Sequence, residues 1–247
     1  MKKIKVGAVS YLNTKPLLYG IERSEELMQQ IELVKEYPSK IALQLLEGDI
    51  DVGLVPVAVI PKMKEHYIIA DYCIGAESNV ASVCLFSDVE LDKIEKILLD
   101  YQSKTSVALC KVLLKHYWKK NVVLEDAQED FSKQINGTTA AVLIGDRALQ
   151  QRKKSKYIYD LAGEWKNFTG LPFVFAAWIA NKKLPQDFIE LFNKKNAEGV
   201  NNIDAVLKET TCSYYDLKTY YTMNISYDLT DEKKKGLRLF LDLLKNL

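Results

Sequence analysis

The chain has 247 residues, 48% of them hydrophobic and 27% charged, an ordinary composition for a globular protein that buries a core without metals or disulfides. Its 34 basic and 33 acidic residues nearly cancel, which argues against non-specific nucleic-acid binding and leaves room for a small anion held by local donors. No apolar run approaches the ~20 residues of a membrane span, and the stretch after Met1-Lys2-Lys3 is too short for a secretory signal. Cys73, Cys84, Cys110 and Cys212 form no C-x-x-C pair, so a cytoplasmic protein with no zinc site and no disulfide framework is expected.

The chain opens on Val6-Gly7-Ala8-Val9-Ser10-Tyr11-Leu12-Asn13-Thr14-Lys15-Pro16-Leu17. Val6, Ala8 and Val9 read as a buried parallel strand. Asn13 and Thr14 are capping residues, and Pro16 suits a first helical turn, where its missing N–H would be unpaired anyway. Ser10, Tyr11, Asn13 and Thr14 therefore fall at the carboxyl end of a strand, facing a helix N-terminus. Open α/β sheets bind ligands there, and free N–H groups favour anions. A capped β–α turn with no ligand has the same pattern.

Ile31 to Val34 reads as the second strand. Pro38-Ser39 opens a helix with Ile41, Ala42, Leu45 and Leu46 on one face and Gly48 as its left-handed end. Asp51 to Val55 is the next strand, halted by Pro56. This alternation predicts a parallel sheet with right-handed crossovers. Ile68 to Ile74 and Val80 to Phe86 look extended. Ile97 to Leu99 ends in Asp100, and Ser103-Lys104-Thr105-Ser106 precedes an amphipathic helix through Leu109, Val112, Leu113 and Tyr117. Val122 to Leu124 and Ala140 to Ile144 are short strands, the latter ended by Gly145-Asp146 before a helix. Gln151 to Lys156 is a solvated charge run. Phe173 to Ala180 is apolar throughout, as a core strand or a strand crossing between two lobes would be. Helical patterns follow at Pro185 to Glu198, Ile203 to Leu207 and Tyr214 to Tyr221. Thr230 opens a last helix with Leu237, Phe240, Leu241 and Leu244 on its core face.

Six pieces in order carry a resemblance: the opening motif, residues 48–56, 82–87 and 99–106, Gly145-Asp146, and residues 165–176. Together they resemble the chorismate dehydratase family of the futalosine route to menaquinone, over essentially the whole chain. The sister enzyme of that route, 1,4-dihydroxy-6-naphthoate synthase, has a different opening segment of the Ser-Pro-Cys-Pro-Asn type. The resemblance implies an α/β fold like the type II periplasmic binding proteins: two lobes, a ligand cleft between them, and crossing strands near 80–86 and 173–180. Lobe I is then residues 1–83 with 177–247, and lobe II residues 84–176.

The implied reaction removes water from chorismate, with the proton leaving C3 and the hydroxyl leaving C4. A site for it must hold two carboxylates, stabilise added charge on one, and exclude water, which positioned donors at helix N-termini can do. No metal or redox cofactor is implied. Ser82 matches the serine of the family's Ser-Val motif and is expected to bond a substrate carboxylate, although a strand serine can also bond its own backbone. Ser103, Thr105 and Ser106 are expected to form an anion site; an ordinary N-cap accounts for one of their three hydroxyls. Asn13 is expected to orient the C4 hydroxyl or the enolpyruvyl side chain, with Ser10 and Tyr11 on the same wall. Gly145 is placed at the substrate, and Gly170 is expected to admit backbone close to the ligand or to serve a hinge turn.

No general base stands out. His66 and His116 lie outside the motifs and read as surface residues. Asp146 is a candidate base or a cap, and the substrate's enolpyruvyl carboxylate is the alternative. Trp165, Phe173, Phe175 and Trp178 are read mainly as core. Three rivals stand beside the dehydratase: a solute-binding protein, disfavoured by the missing leader and anchor cysteine, a regulator's ligand-sensing domain, disfavoured by the absence of a helix-turn-helix segment, and the sister synthase. The oligomeric state is left open.

Overall fold

The computed structural model describes residues 3–128 and 131–247; the Met1-Lys2 start weighed above lies outside them. The chain begins with β1 (Ile4–Val9), whose last four residues are buried. A 3-10 turn (Leu12–Thr14) feeds α1 (Lys15–Arg23), which carries Pro16 in its first turn. Then come α2 (Glu25–Gln30), β2 (Ile31–Glu36), α3 (Pro38–Glu47) and β3 (Val52–Pro56). Gly48 ends α3 at φ 82°, a left-handed conformation that costs other residues about 1–2 kcal/mol. A 3-10 segment (Val57–Lys62) leads to β4 (Tyr67–Ala76), β5 (Val83–Ser87), β6 (Lys96–Leu99), α4 (Lys104–Val112) and a π turn (Leu113–Tyr117). The chain continues through β7 (Val123–Asp126), β8 (Thr139–Ile144), α5 (Gly145–Gln151), β9 (Tyr157–Asp160), α6 (Leu161–Thr169) and β10 (Phe173–Ala180). It closes with α7 (Gln186–Val200), α8 (Ile203–Lys208), α9 (Leu217–Thr219), a π turn (Tyr220–Asn224), β11 (Ser226–Asp228) and α10 (Asp231–Leu244).

These strands make two mixed sheets, ordered β11-β4-β10-β3-β1-β2 and β7-β6-β8-β5-β9. Parallel pairing joins β1 to β2 and β3, and β6 to β7 and β8. The wholly parallel sheet suggested by the alternation is corrected by β10 and β5, which enter antiparallel. Each is reached by a change of sheet rather than by a βαβ crossover, so the handedness argument does not apply to it. The chain leaves the first sheet after Ala76 and joins the second at Val83; it returns between Asp160 and Phe173. The strand Val83–Ser87 belongs to the second sheet alone, and Phe173–Ala180 to the first alone.

The return is anchored by aromatic packing. Trp165 of α6 is buried edge-on to Phe173 (5.3 Å) and Phe240 (6.1 Å), tying α6 to β10 and α10. Its indole N–H donates to the Pro172 carbonyl at 3.3 Å. Trp178 packs edge-on to Phe192 at 4.9 Å and donates to Asn196 Oδ1 at 2.9 Å. Such aromatic pairs add about 0.5–1.5 kcal/mol beyond the area they bury. Cys73, Cys84 and Cys110 are buried free thiols, and burial pushes Cys73 and Cys110 up to about 12, which keeps them protonated and unreactive at neutral pH. Among the described residues, no helix is long and apolar enough to cross a membrane.

Candidate active site

An open-mouthed cavity lies between the two sheets. The ends of β1 and β3, with β4 and β10, supply Val9, Tyr11, Asn13, Thr14, Leu54, Pro56, Ile74, Phe175 and Ala176; Ser82, Val83, Ser103, Ser106, Ile144 and Gly145 face them. The walls are mostly apolar, with a few hydroxyls and one amide among them, the usual make-up of a small-molecule site.

Tyr11 reaches from the end of β1 to the second sheet. Its hydroxyl donates to Gln102 Oε1, which also accepts from Arg147 Nη2 at 2.9 Å. The same guanidinium nitrogen lies 2.8 and 2.9 Å from the two carboxylate oxygens of Asp100. Asp100 is buried and further accepts the amides of Gln102 (3.0 Å) and Ile144 (3.2 Å). Burial pushes the Asp100 carboxyl up, and Arg147 and the amides oppose it. Burial likewise raises the Tyr11 phenol, so it stays a neutral donor at physiological pH.

Gly145 sits beneath Tyr11 with φ 59°; a Cβ there would stand 3.1 Å from the Tyr11 ring. Its N–H donates to the Ser82 carbonyl at 2.7 Å. Ser82 follows Ala81, a non-glycine residue at φ 64°, and its own N–H closes a tight turn on the Val80 carbonyl at 2.8 Å. The Ser82 hydroxyl is buried and without a hydrogen-bond partner. The Ser82 hydroxyl lies near the buried Tyr220 hydroxyl and eases its ionisation as a hydrogen-bond donor would, yet neither group closes a bond of ordinary geometry. A buried polar group left unpaired costs about 1–3 kcal/mol.

Ser103 is the N-cap of α4: its hydroxyl accepts from the Ser106 amide (3.1 Å) and donates to the Ser106 hydroxyl (2.8 Å). Ser106 keeps its own proton to donate. The first-turn amides of α4 have no intrahelical acceptor, and the helix dipole adds partial positive charge there. Thr105 is turned elsewhere, accepting from the Ala58 amide at 3.1 Å and pinning α4 to the segment after β3. Asn13 accepts the Thr14 hydroxyl on its side-chain oxygen (3.2 Å) and the Tyr227 hydroxyl on its carbonyl (3.0 Å), which leaves its NH2 to donate.

Tyr11, Asn13, Ser82, Ser103, Ser106 and Gly145 thus share one cavity, whereas Ser10, Thr105, Asp146 and Gly170 are not among its lining residues. Ser10 is exposed beyond β1. Asp146 accepts the Leu12 amide at 3.4 Å; burial raises its carboxyl, opposed by that amide and by Lys15. Gly170 caps α6 at φ 73° with open space around it. Phe175 lines the cavity, while Trp165, Phe173 and Trp178 are core. His66 is exposed, and His116 is half-buried in the π turn, its Nε2 shielded and unpartnered; neither lines the cavity. Thr14, placed by its sequence at the ligand end of β1, lines the cavity, whereas sequence reasoning overlooked Gln102, Arg147 and Tyr220. Gln102 stood inside a quoted motif; Arg147 follows Asp146 directly.

Residues 4–246 match a family model described as menaquinone biosynthesis. The chain belongs to this menaquinone-biosynthesis family. The family expected from the six motifs is borne out. Within the menaquinone-biosynthesis family, the chain is similar to a chorismate dehydratase of Thermus thermophilus, with 24% identity covering 99% of this chain and 96% of the relative. It is also similar to a chorismate dehydratase of Campylobacter jejuni, with 27% identity covering 98% and 97%. Among solved structures it resembles an Archaeoglobus fulgidus protein (TM-score 0.78, 14% identity, 99% and 97% covered). A Candida albicans protein described as having the generic periplasmic binding protein fold is also similar (TM-score 0.71, 13% identity, 100% and 91% covered). The two-lobed α/β fold expected from the sequence is thereby shown.

Proposed function

We propose that this member of the menaquinone-biosynthesis family dehydrates chorismate to 3-[(1-carboxyvinyl)oxy]benzoate. The observation that carries the reading is the near full-length match to two relatives named chorismate dehydratase. The cavity adds support, because its donors suit a dianion without needing net positive charge. The lobe bounds expected at 83/84 and 176/177 fall inside β5 and β10, so lobe I is taken to end before Val83 and to resume before Phe173, with the substrate between it and lobe II.

In this reading the α4 N-terminus, through Ser106 and the first-turn amides, holds one carboxylate. Ser82 donates to the other, and the Asn13 NH2 orients the C4 hydroxyl or the enolpyruvyl group. The apolar walls of Val9, Leu54, Ile144 and Phe175 exclude water. Breaking the C3–H bond sends its electron pair toward the ring carboxylate, where positioned donors lower the barrier. The C4–O bond then breaks, hydroxide leaves with a proton as water, and the ring becomes aromatic.

The Asp146 carboxylate is engaged by the Leu12 amide and no histidine lines the cavity, which supports the substrate's own enolpyruvyl carboxylate as the base. The free thiols support a reducing compartment, and we place the enzyme in the cytoplasm.

The likeness to binding proteins of the same fold favours one second reading, a module that binds without turnover. Purified protein mixed with chorismate and followed by mass spectrometry separates them. Conversion to a species lighter by one water, with a substituted-benzoate spectrum, is expected. Chorismate bound but unchanged would establish the binding module, and no binding at all would direct the test to the sister synthase reaction.

A further inference from the structure

Asp160 is a half-buried residue to whose carboxylate the chemistry above gives no part. It ends β9 and is the N-cap of α6, accepting the amides of Ala162 (3.1 Å) and Gly163 (3.2 Å) on Oδ1. Capping explains those two bonds. It does not explain two more: Val80 N–H donates to Oδ1 at 3.1 Å and Ala81 N–H to Oδ2 at 2.7 Å. These come from the segment that leads from the first sheet to the second.

That segment needs holding. Ala81 stands at φ 64°, a conformation disfavoured for any residue with a Cβ, so its surroundings must fix it. Asp160 takes its N–H, and Arg152 Nη1 donates to its carbonyl at 3.2 Å. The α6 first turn is seated on the same segment: a Cβ on Gly163 would fall 2.0 Å from Asn79 Oδ1. One residue later, the Ser82 backbone is tied at both ends, to the Val80 carbonyl and the Gly145 amide. Ser82 lines the cavity, with its hydroxyl buried and closing no bond of ordinary geometry.

We propose that Asp160 is a positioning residue, whose carboxylate holds the strained Val80–Ala81 turn so that Ser82 presents its hydroxyl to the substrate. The proposal rests on the reading of Ser82 as a substrate contact. An N-cap alone would be served as well by serine, which lacks the second oxygen.

The test uses Asp160→Asn and Asp160→Ser in the full chain, each alone and combined with Ser82→Ala. Kinetics with chorismate and crystal structures of the single variants are both read. With Ser82 present, kcat is expected to fall about ten- to a hundredfold, the scale of a small misplacement; in the Ser82→Ala background the same change at Asp160 moves kcat less than about twofold. An equal loss in both backgrounds would overturn the proposal, because a purely structural role does not depend on the serine.

In the crystals, Ala81 is expected to leave the left-handed region and the Ser82 hydroxyl to leave the wall, with α6 still capped in the serine variant. A hydroxyl that stays in place would also overturn the proposal. If the wild-type chain leaves chorismate unchanged, the functional reading falls alone, and the crystal comparison still decides whether Asp160 sets Ser82.

Discussion

The Tyr11 ring lies across Gly145 so closely that a Cβ on the glycine would stand 3.1 Å from it, where the two sheets meet. Tyr11 follows β1 of the first sheet and Gly145 follows β8 of the second, and Tyr11 extends the contact through Gln102 to Arg147 and Asp100. Gly145→Ala meets two penalties at once. The backbone at φ 59° costs about 1–2 kcal/mol for a residue with a Cβ, and that Cβ pushes the Tyr11 ring. Chemical denaturation is expected to show at least that loss, together with a lower kcat/KM for chorismate. Unchanged values of both would mean that the ring yields freely and that the contact positions nothing.

Ser82→Ala sets stability against function. The hydroxyl is buried without a partner, so removing it relieves an unmet hydrogen bond of about 1–3 kcal/mol. The variant is expected to melt about 2–4 °C higher per kcal/mol recovered, while turnover of chorismate falls at least about tenfold. A lower melting temperature would show that Ser82 is satisfied inside the protein, donating to the Tyr220 hydroxyl beside it.

Local signals explain what was legible. The strand–cap–helix units at Val9 to Leu17 and Leu99 to Leu109, and the Gly48 stop, depend on neighbouring residues and read directly from the chain. The α6 helix did not, although Asp160 is a good N-cap: Gly163 interrupts the apolar pattern, and Phe173 onward dominated the reading. The strands β9 and β11, four and three residues long, are too short for an alternation to show. Within the cavity, Tyr11, Asn13, Ser82, Ser103 and Ser106 sit in motifs that stand out. Their support is non-local. Arg147 meets Asp100 across 47 residues and Asp160 meets Val80 across 80, and no periodicity encodes such pairs.

Tyr11→Phe isolates the hydroxyl that bonds Gln102. The ring still packs on Gly145, so the fold is kept, and Gln102 retains Arg147 as a donor. One net hydrogen bond is worth about 0.5–1.5 kcal/mol, so kcat/KM for chorismate is expected to drop about two- to tenfold with little change in melting temperature. Steady-state kinetics check this; a drop beyond about a thousandfold would make the phenol a participant in the chemistry rather than a support for the wall.

Asp146→Asn addresses the base and carries a pH signature. If the substrate's own carboxylate takes the C3 proton, the variant keeps most of its activity; a loss on the order of 10⁴ with the fold intact would restore Asp146 as the base. Burial raises the Asp146 carboxyl above its ordinary value, so the folded chain holds that proton to higher pH than the unfolded chain does. Between the two values the folded state binds more protons, and this group's contribution to stability falls as pH rises. Asparagine has no such term. The melting temperature of Asp146→Asn relative to the wild type is therefore expected to rise with pH from about 4, where this carboxyl ionises in the unfolded chain, and to level off once it is ionised in both states. The opposite slope would mean that Lys15 and the Leu12 amide outweigh burial at this carboxylate.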